Sequence, residues 1–131
     1  MTNKRTEKNN SALLTEVELE LMSILWKLGG GSVHAVLEKL PVQRKLAYTS
    51  VSTILRILEK KGVLRSEKGG RGHIYIPCVT KEKYEAASLR HLVEKVFDGT
   101  PASLVRRLLD DGDLGPEELK SIRSLVLGSN R

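Results

Sequence analysis

The segment Tyr48–Lys60, YTSVSTILRILEK, predicts the helix that decides the fold. Its aliphatic residues recur at i, i+3, i+4 and i+7, which is the spacing of one buried helical stripe. They are Val51, Ile54, Leu55 and Leu58. The opposite face carries short hydroxyls and then cations, a pattern suited to base edges and phosphates, and we place Glu59 on its flank. We interpret the segment as the recognition helix of a winged helix-turn-helix protein, although on its own it fits an ordinary surface helix equally well.

Positive charge is concentrated around this helix. The chain has a net charge of +6, whereas Lys39–Pro77 alone holds 9 basic and 2 acidic residues. From Cys78 to Arg131 there are 9 residues of each sign. Such asymmetry is the electrostatic signature of a polyanionic partner, so it favours double-stranded DNA.

The overall composition excludes several classes of protein. A chain of 131 residues predicts one or two small domains, and 4% aromatic residues argue against a base-stacking surface for single strands. No apolar run approaches the ~18 residues that cross a membrane. The polar N-terminus shows no secretory signal, and Cys78 is the sole cysteine. We expect a cytoplasmic protein with no membrane insertion, no metal and no cofactor, and a disordered tail over residues 1–12.

Two helical patterns precede the recognition segment. Thr15–Leu28 begins with a capping box formed by Thr15 and Glu18 and ends at three glycines. Its inward residues are Val17, Leu21, Ile24, Leu25 and Leu28, widened by Met22 and Trp26. Ser32 then caps a helix over Val33–Leu40. A short turn between two such helices, the second of them basic outside, is the helix-turn-helix arrangement.

A hairpin follows, with strands predicted over Val63–Glu67 and His73–Pro77. In the second strand the isoleucines at 74 and 76 alternate with His73 and Tyr75. Lys68–Gly72 forms a flexible tip whose two non-glycine residues are both cations. We interpret this hairpin as a wing that lies along a DNA backbone.

Three aliphatic helices are predicted after Cys78, over Lys81–Phe97, Thr100–Asp110 and Glu117–Leu127. Roughly 45 residues of short helices cannot bury so many aliphatic side chains alone, so we predict a dimerisation module. The alternative is that they fold back and complete the first core. The predicted interface residues are Leu92, Val96, Leu104, Leu108, Leu119, Ile122 and Leu125. The predicted domains are 13–79, a winged helix, and 80–128, a helical dimerisation domain.

The order of these features resembles the penicillinase-repressor and methicillin-resistance-repressor (BlaI/MecI-like) family. The matching stretches are LTEVELELMSILWKLG, YTSVSTILRILEKKGVL, GRGHIYIPCVTKEKY, FDGTPASLV and LGPEELKSIRSLV. The resemblance implies a mainly α fold: a winged helix-turn-helix of three helices with a two- to three-stranded β wing, then a helical dimerisation module. It also implies a homodimer that represses genes from palindromic operators.

The resemblance further implies inactivation through a membrane sensor-protease, by cleavage of an Asn-Phe bond in the helix that here reads SLVRRLL. This chain has Arg107-Leu108 at that place, which counts against such cleavage. A cysteine-rich metal motif, found in a copper-responsive branch of the family, is missing from the sequence.

The candidate DNA-contacting residues lie in the turn, the recognition helix and the wing. They are Arg44, Lys45, Tyr48, Thr49, Ser50, Ser52, Thr53, Arg56, Lys60, Lys68, Arg71 and His73. A first alternative is a winged-helix module that binds protein without sequence-specific DNA binding. A second is an enzyme, which we reject because the sequence offers no phosphate loop, no metal set and no nucleophile with its base. We expect Cys78 to be a semi-buried thiol at a strand end.

Overall fold

The computed structural model describes residues 13–70 and 72–128, so the predicted tail and Arg71 lie outside the described residues. The described chain is mainly helical with one antiparallel pair of strands, which confirms the predicted winged-helix fold. Its elements are α1 (Glu16–Leu28), α2 (Val33–Lys39), α3 (Tyr48–Lys60), β1 (Leu64–Gly69), β2 (Gly72–Pro77), α4 (Lys81–Lys95), α5 (Pro101–Asp110) and α6 (Pro116–Gly128).

The chain divides into two compact units after Ser88, within α4. We call them the winged-helix unit, described over residues 13–70 and 72–88, and the C-terminal unit, described over residues 89–128. All fully buried hydrophobic side chains among the described residues belong to the first unit. They are Leu21, Met22, Leu25, Val36, Val51, Leu55, Leu58 and Leu64.

Helix α1 begins as the sequence predicts. Thr15 accepts from the Glu18 backbone N–H at 3.2 Å, and the Glu18 carboxylate accepts from the Thr15 N–H at 2.9 Å. Gly29 ends the helix in the left-handed region at φ 84°, where a side chain would be strained. Met22, predicted to widen the inward stripe, is completely buried, whereas Leu28, at the helix end, is 39% exposed and not inward as predicted.

A third, one-residue strand joins the hairpin to the loop between α1 and α2. Gly31 and Tyr75 exchange backbone hydrogen bonds of 2.9 and 2.8 Å. A Cβ atom on Gly30 would lie 3.2 Å from the Tyr75 carbonyl oxygen, so glycine permits this approach. The bridge brings Tyr75 against the core, where it is buried, while Ile74 and Ile76 are only half-buried. Tyr75, and neither of the two isoleucines, is thus the buried residue of this strand.

The hairpin is tighter than predicted. Lys68 pairs with His73 and Gly69 with Gly72, so the strands extend into the five-residue segment expected to be a flexible tip. A two-residue connection remains, which is the commonest hairpin loop, and Gly70 there has φ 57°. A Cβ atom on Gly69 would lie 2.5 Å from the Ile74 side chain, which explains the glycine at that strand position.

The first turns of α4 pack on α1. The Trp26 indole N–H donates to the Val79 carbonyl at 2.9 Å, and the Tyr84 hydroxyl accepts from the Leu14 N–H at 3.0 Å. The Trp26 and Tyr84 ring centroids are 5.8 Å apart. Trp26 is half-buried against the core, in agreement with its predicted structural role.

The C-terminal unit contains no buried residue among those described. Helix α4 ends at Lys95, two residues earlier than predicted, and the chain turns through Asp98 and Gly99 with φ of 51° and 77°. Pro101 occupies the first turn of α5, as expected. None of the described helices is both long enough and apolar enough to cross a membrane.

Candidate nucleic-acid interface

Helix α3 has the predicted bounds and two distinct faces. Val51, Leu55 and Leu58 are 0% exposed, and they fix the helix on the core. The opposite ridge is exposed to solvent throughout. It consists of Thr49, Ser50, Thr53, Arg56 and Lys60. The arrangement leaves hydroxyls near the N-terminal end and cations towards the C-terminal end available to an external partner.

An ion pair at each end links the recognition segment to α1. After the last turn of α3, the Lys61 ammonium donates to both oxygens of Glu18 at 2.8 Å. Before its first turn, the Arg44 guanidinium lies 2.8 Å from a Glu20 oxygen. Gly62, with φ 87°, follows Lys61 directly beyond the helix end, a position that favours glycine. Glu18 thus has two roles: it completes the capping box of α1, and through Lys61 it holds the end of α3 against α1.

The pKa of Glu18 reflects this environment. Burial is the largest influence and raises the pKa, but the hydrogen bonds from Lys61 and Thr15 outweigh it. The net result is a pKa below the ordinary value of 4.5, which keeps the carboxylate charged and its pair with Lys61 intact at neutral pH.

A groove of about 690 Å³ lies between α3, the start of α2 and the hairpin. Tyr48 packs against His34 across one end, with ring centroids 4.9 Å apart. Glu59 accepts a hydrogen bond of 2.7 Å from the Ser66 hydroxyl at the hairpin side. The remaining polar lining includes Ser52, Arg56 and His73.

The structure distributes the candidate residues over two surfaces. The groove collects Tyr48, Ser52, Arg56 and His73, and Arg56 also belongs to the exposed ridge of α3. Lys45 and Lys68 are exposed, whereas Arg44 is half-buried in its pair with Glu20. Arg71 lies outside the described residues. Their contacts with DNA stay predictions.

The groove also contains residues that were not among the candidates, including His34, Glu59 and Ser66. The helical positions of Tyr48, Ser52 and Glu59 share one side of α3, and this spacing is a signal that the sequence does contain. His34 and Ser66 reach the groove through the packing of α2 and the hairpin, which the spacing along α3 does not reveal.

No group of three or more potential metal ligands is present in the described part of the chain. Cys78 is exposed and not semi-buried as expected, because β2 ends at Pro77 and the next residue leaves the core.

Comparison with known proteins identifies the family. Residues 14–127 match the model of the penicillinase repressor family. The chain belongs to the penicillinase repressor family. This agrees with the expectation that it is a regulator and not an enzyme.

Individual relatives cover most of the chain. The penicillinase repressor of Bacillus licheniformis is 26% identical over 86% of this chain and 88% of its own length. The transcriptional regulator BlaI of Mycobacterium tuberculosis is 30% identical over 78% of this chain and 86% of its own length. A solution structure of monomeric Bacillus licheniformis BlaI with the blaP half-operator is 29% identical, with a TM-score of 0.47, over 55% of this chain and 88% of that one.

Proposed function

We propose that this penicillinase repressor family member is a transcriptional repressor that binds operator DNA as a homodimer, through α3 and the hairpin. The observation that carries the proposal is the exposed ridge of hydroxyls and cations on a helix that Val51, Leu55 and Leu58 fix in the core. A winged-helix module that binds only protein would not need positive charge concentrated over Lys39–Pro77, so we do not favour it.

The two ends of α3 have different proposed roles. Thr49, Ser50 and Thr53 lie near the N-terminal end, which approaches base edges when a recognition helix enters the major groove. Threonine methyls can contact thymine methyls, and Arg56 is long enough to reach a guanine or a phosphate. Lys60 and, on the hairpin, Lys68 are exposed and suited to phosphates.

The proposed dimer depends on the C-terminal unit. Its aliphatic side chains are exposed in the single chain, with Leu92 at 41%, Leu108 at 46% and Leu125 at 71%. Burial of such residues against a second copy would remove apolar surface from water. Two-fold symmetry then predicts an operator that is an inverted repeat, with half-sites one DNA turn or a multiple apart.

We propose the cytoplasm as the site of action, where operator DNA is found. A membrane sensor-protease is a proposed upstream partner through the family resemblance alone. Arg107 and Leu108 lie within α5 and are both exposed, but they are not the residue types expected at the cleaved bond. The altered residues count against cleavage of this bond.

Selection of bound duplexes from a random pool would supply the operator for a test with two variants. Arg71→Ala should weaken binding to every duplex and reduce the slope of log affinity against log salt by about 0.9 if one phosphate contact is lost. Thr53→Ala should relax specificity at one operator position by roughly 1 kcal/mol or more.

Gel shifts on operator and scrambled duplexes over a salt series would measure both effects. Equal, sequence-independent losses for the two variants would contradict this division of roles. A wild-type protein indifferent to all duplexes at low salt would refute DNA binding itself.

A further inference from the structure

Glu59 occupies an unusual place for an acidic residue. It lies on the side of α3 that faces the hairpin, it is half-buried, and it lines the groove with Ser52 and Arg56. Among the described residues that line the groove, it is the only acid. A carboxylate weakens the attraction of a basic surface for phosphates, so its presence on this side of the helix calls for a structural reason.

The contact that Glu59 makes supplies that reason. The Ser66 hydroxyl donates to Oε2 of Glu59 at 2.7 Å, in a partly buried setting. A hydrogen bond to a charged acceptor is stronger than one between neutral groups. Because Ser66 lies in β1 and Glu59 in the last turns of α3, this bond connects the hairpin directly to the recognition helix.

The position of the bond along the hairpin determines what it can control. At the base of the hairpin the Val63 N–H donates to the Leu58 carbonyl, and further along Tyr75 of β2 pairs with Gly31. Ser66 lies in β1 directly opposite Tyr75, two residues before Lys68. At the level where Gly31 holds β2, the bond to Glu59 therefore holds β1 against α3, just before the exposed cation.

We propose that Glu59 and Ser66 are positioning residues that hold the hairpin at a fixed distance from α3. The base contacts of the helix and the phosphate contact of Lys68 are then presented on one rigid surface. Pre-organisation of this kind lowers the cost of ordering the hairpin when DNA binds. The inference rests on the proposed DNA binding. It adds to the binding surface a pair of residues that do not themselves contact the bases.

Three substitutions separate the bond from the charge. Ser66→Ala removes the donor. Glu59→Gln removes the negative charge but keeps an oxygen that accepts from Ser66. Lys68→Ala reports on the hairpin cation, and it is made in the wild-type background, together with Ser66→Ala and together with Glu59→Gln. Affinity for the selected operator and for a scrambled duplex is measured over a salt series.

Ser66→Ala should weaken operator binding about three- to tenfold. It should also reduce the salt slope by about 0.9, because the hairpin contact with one phosphate is lost. Lys68→Ala should then have a much smaller effect beside Ser66→Ala than alone, since coupled residues are not additive. Glu59→Gln should keep the full effect of Lys68→Ala while binding both duplexes more tightly.

Thermal unfolding of each variant shows whether the fold is retained. If Ser66→Ala does not fold, Glu59→Ala removes the same bond from the other side and should give the same loss of salt slope. Equal effects of Lys68→Ala in both backgrounds, with normal operator binding by Ser66→Ala, would overturn the positioning role and leave DNA binding intact. A wild-type protein that binds neither duplex would refute both proposals.

Discussion

The winged-helix unit and the C-terminal unit use aliphatic residues in opposite ways. In the first, Leu21, Leu25 and Leu55 are completely buried and α1, α3 and the hairpin share one core. In the second, none of the described residues is buried, and Leu125 and Leu127 are 71% and 63% exposed. Full burial of a leucine is worth about 1.5–3 kcal/mol. The stability of the first unit is therefore intrinsic, whereas the second lacks a large favourable contribution until another surface covers it.

The largest effect on stability is expected for a leucine of the buried core, compared with an exposed leucine of the C-terminal unit. Leu55→Ala should reduce the free energy of unfolding of the winged-helix unit by about 2–5 kcal/mol, because it leaves a cavity in the core. Leu127→Ala, which removes the same atoms from an exposed site, should change it by less than about 0.5 kcal/mol. Chemical denaturation followed by circular dichroism, at concentrations that keep the chain monomeric, measures both. Similar losses for the two variants would remove the distinction between the units.

The next largest effect tests what covers the C-terminal unit. Leu108→Asp places a charge among the exposed aliphatic residues of α5 and should weaken self-association about a hundredfold, or about 2.8 kcal/mol. Ser103→Asp is the matched control, because Ser103 lies on the opposite side of the same helix. Sedimentation equilibrium gives the association constants. A wild-type chain that is monomeric at all concentrations, or an undiminished dimer for Leu108→Asp, would contradict the proposed interface.

The smallest effect concerns a polar contact within the winged-helix unit. Glu18→Gln should lower the free energy of unfolding at pH 7 by about 1–3 kcal/mol, because it weakens the half-buried pair with Lys61. Glu16→Gln, an exposed change in the same helical turn, is the control. Urea denaturation at neutral pH compares the two.

The same pair gives a pH dependence of defined sign. The pKa of Glu18 is lower in the folded protein than its ordinary value of 4.5, so the unfolded chain binds more protons in this range. Its contribution is complete above the unfolded pKa and is lost as the pH falls through the folded pKa. The wild-type protein should therefore lose more stability than Glu18→Gln between neutral and acidic pH, and parallel curves would show that the pair contributes nothing.

Local signals predicted the helices of both units well. The capping box of Thr15 and Glu18, the cap at Ser32 and the bounds of α3 all follow from neighbouring residues, and each is confirmed. These features depend on contacts within a few positions of the chain, where spacing determines which side chains meet. The prediction of α3 succeeded because its stripe of aliphatic residues is unbroken.

Features that depend on contacts between residues far apart in the sequence were harder to predict. The bridge between Gly31 and Tyr75 joins positions 44 apart, and it places Tyr75 against the core. The alternation of apolar residues could not reveal this, because a tyrosine can belong to either face. Glu59 shows the same limit at the candidate site: its spacing places it on the wing side of α3, but only the folded hairpin brings Ser66 within reach.

The contact between Trp26 and the start of α4 has a practical consequence. Trp26 is the sole tryptophan of the chain, and its indole is fixed by Val79 and lies beside Tyr84. Its intrinsic emission therefore monitors the junction of α1 with the first turns of α4. A denaturation curve recorded by tryptophan fluorescence therefore follows the winged-helix unit. Unfolding of the helices beyond Ser88 would leave this signal unchanged.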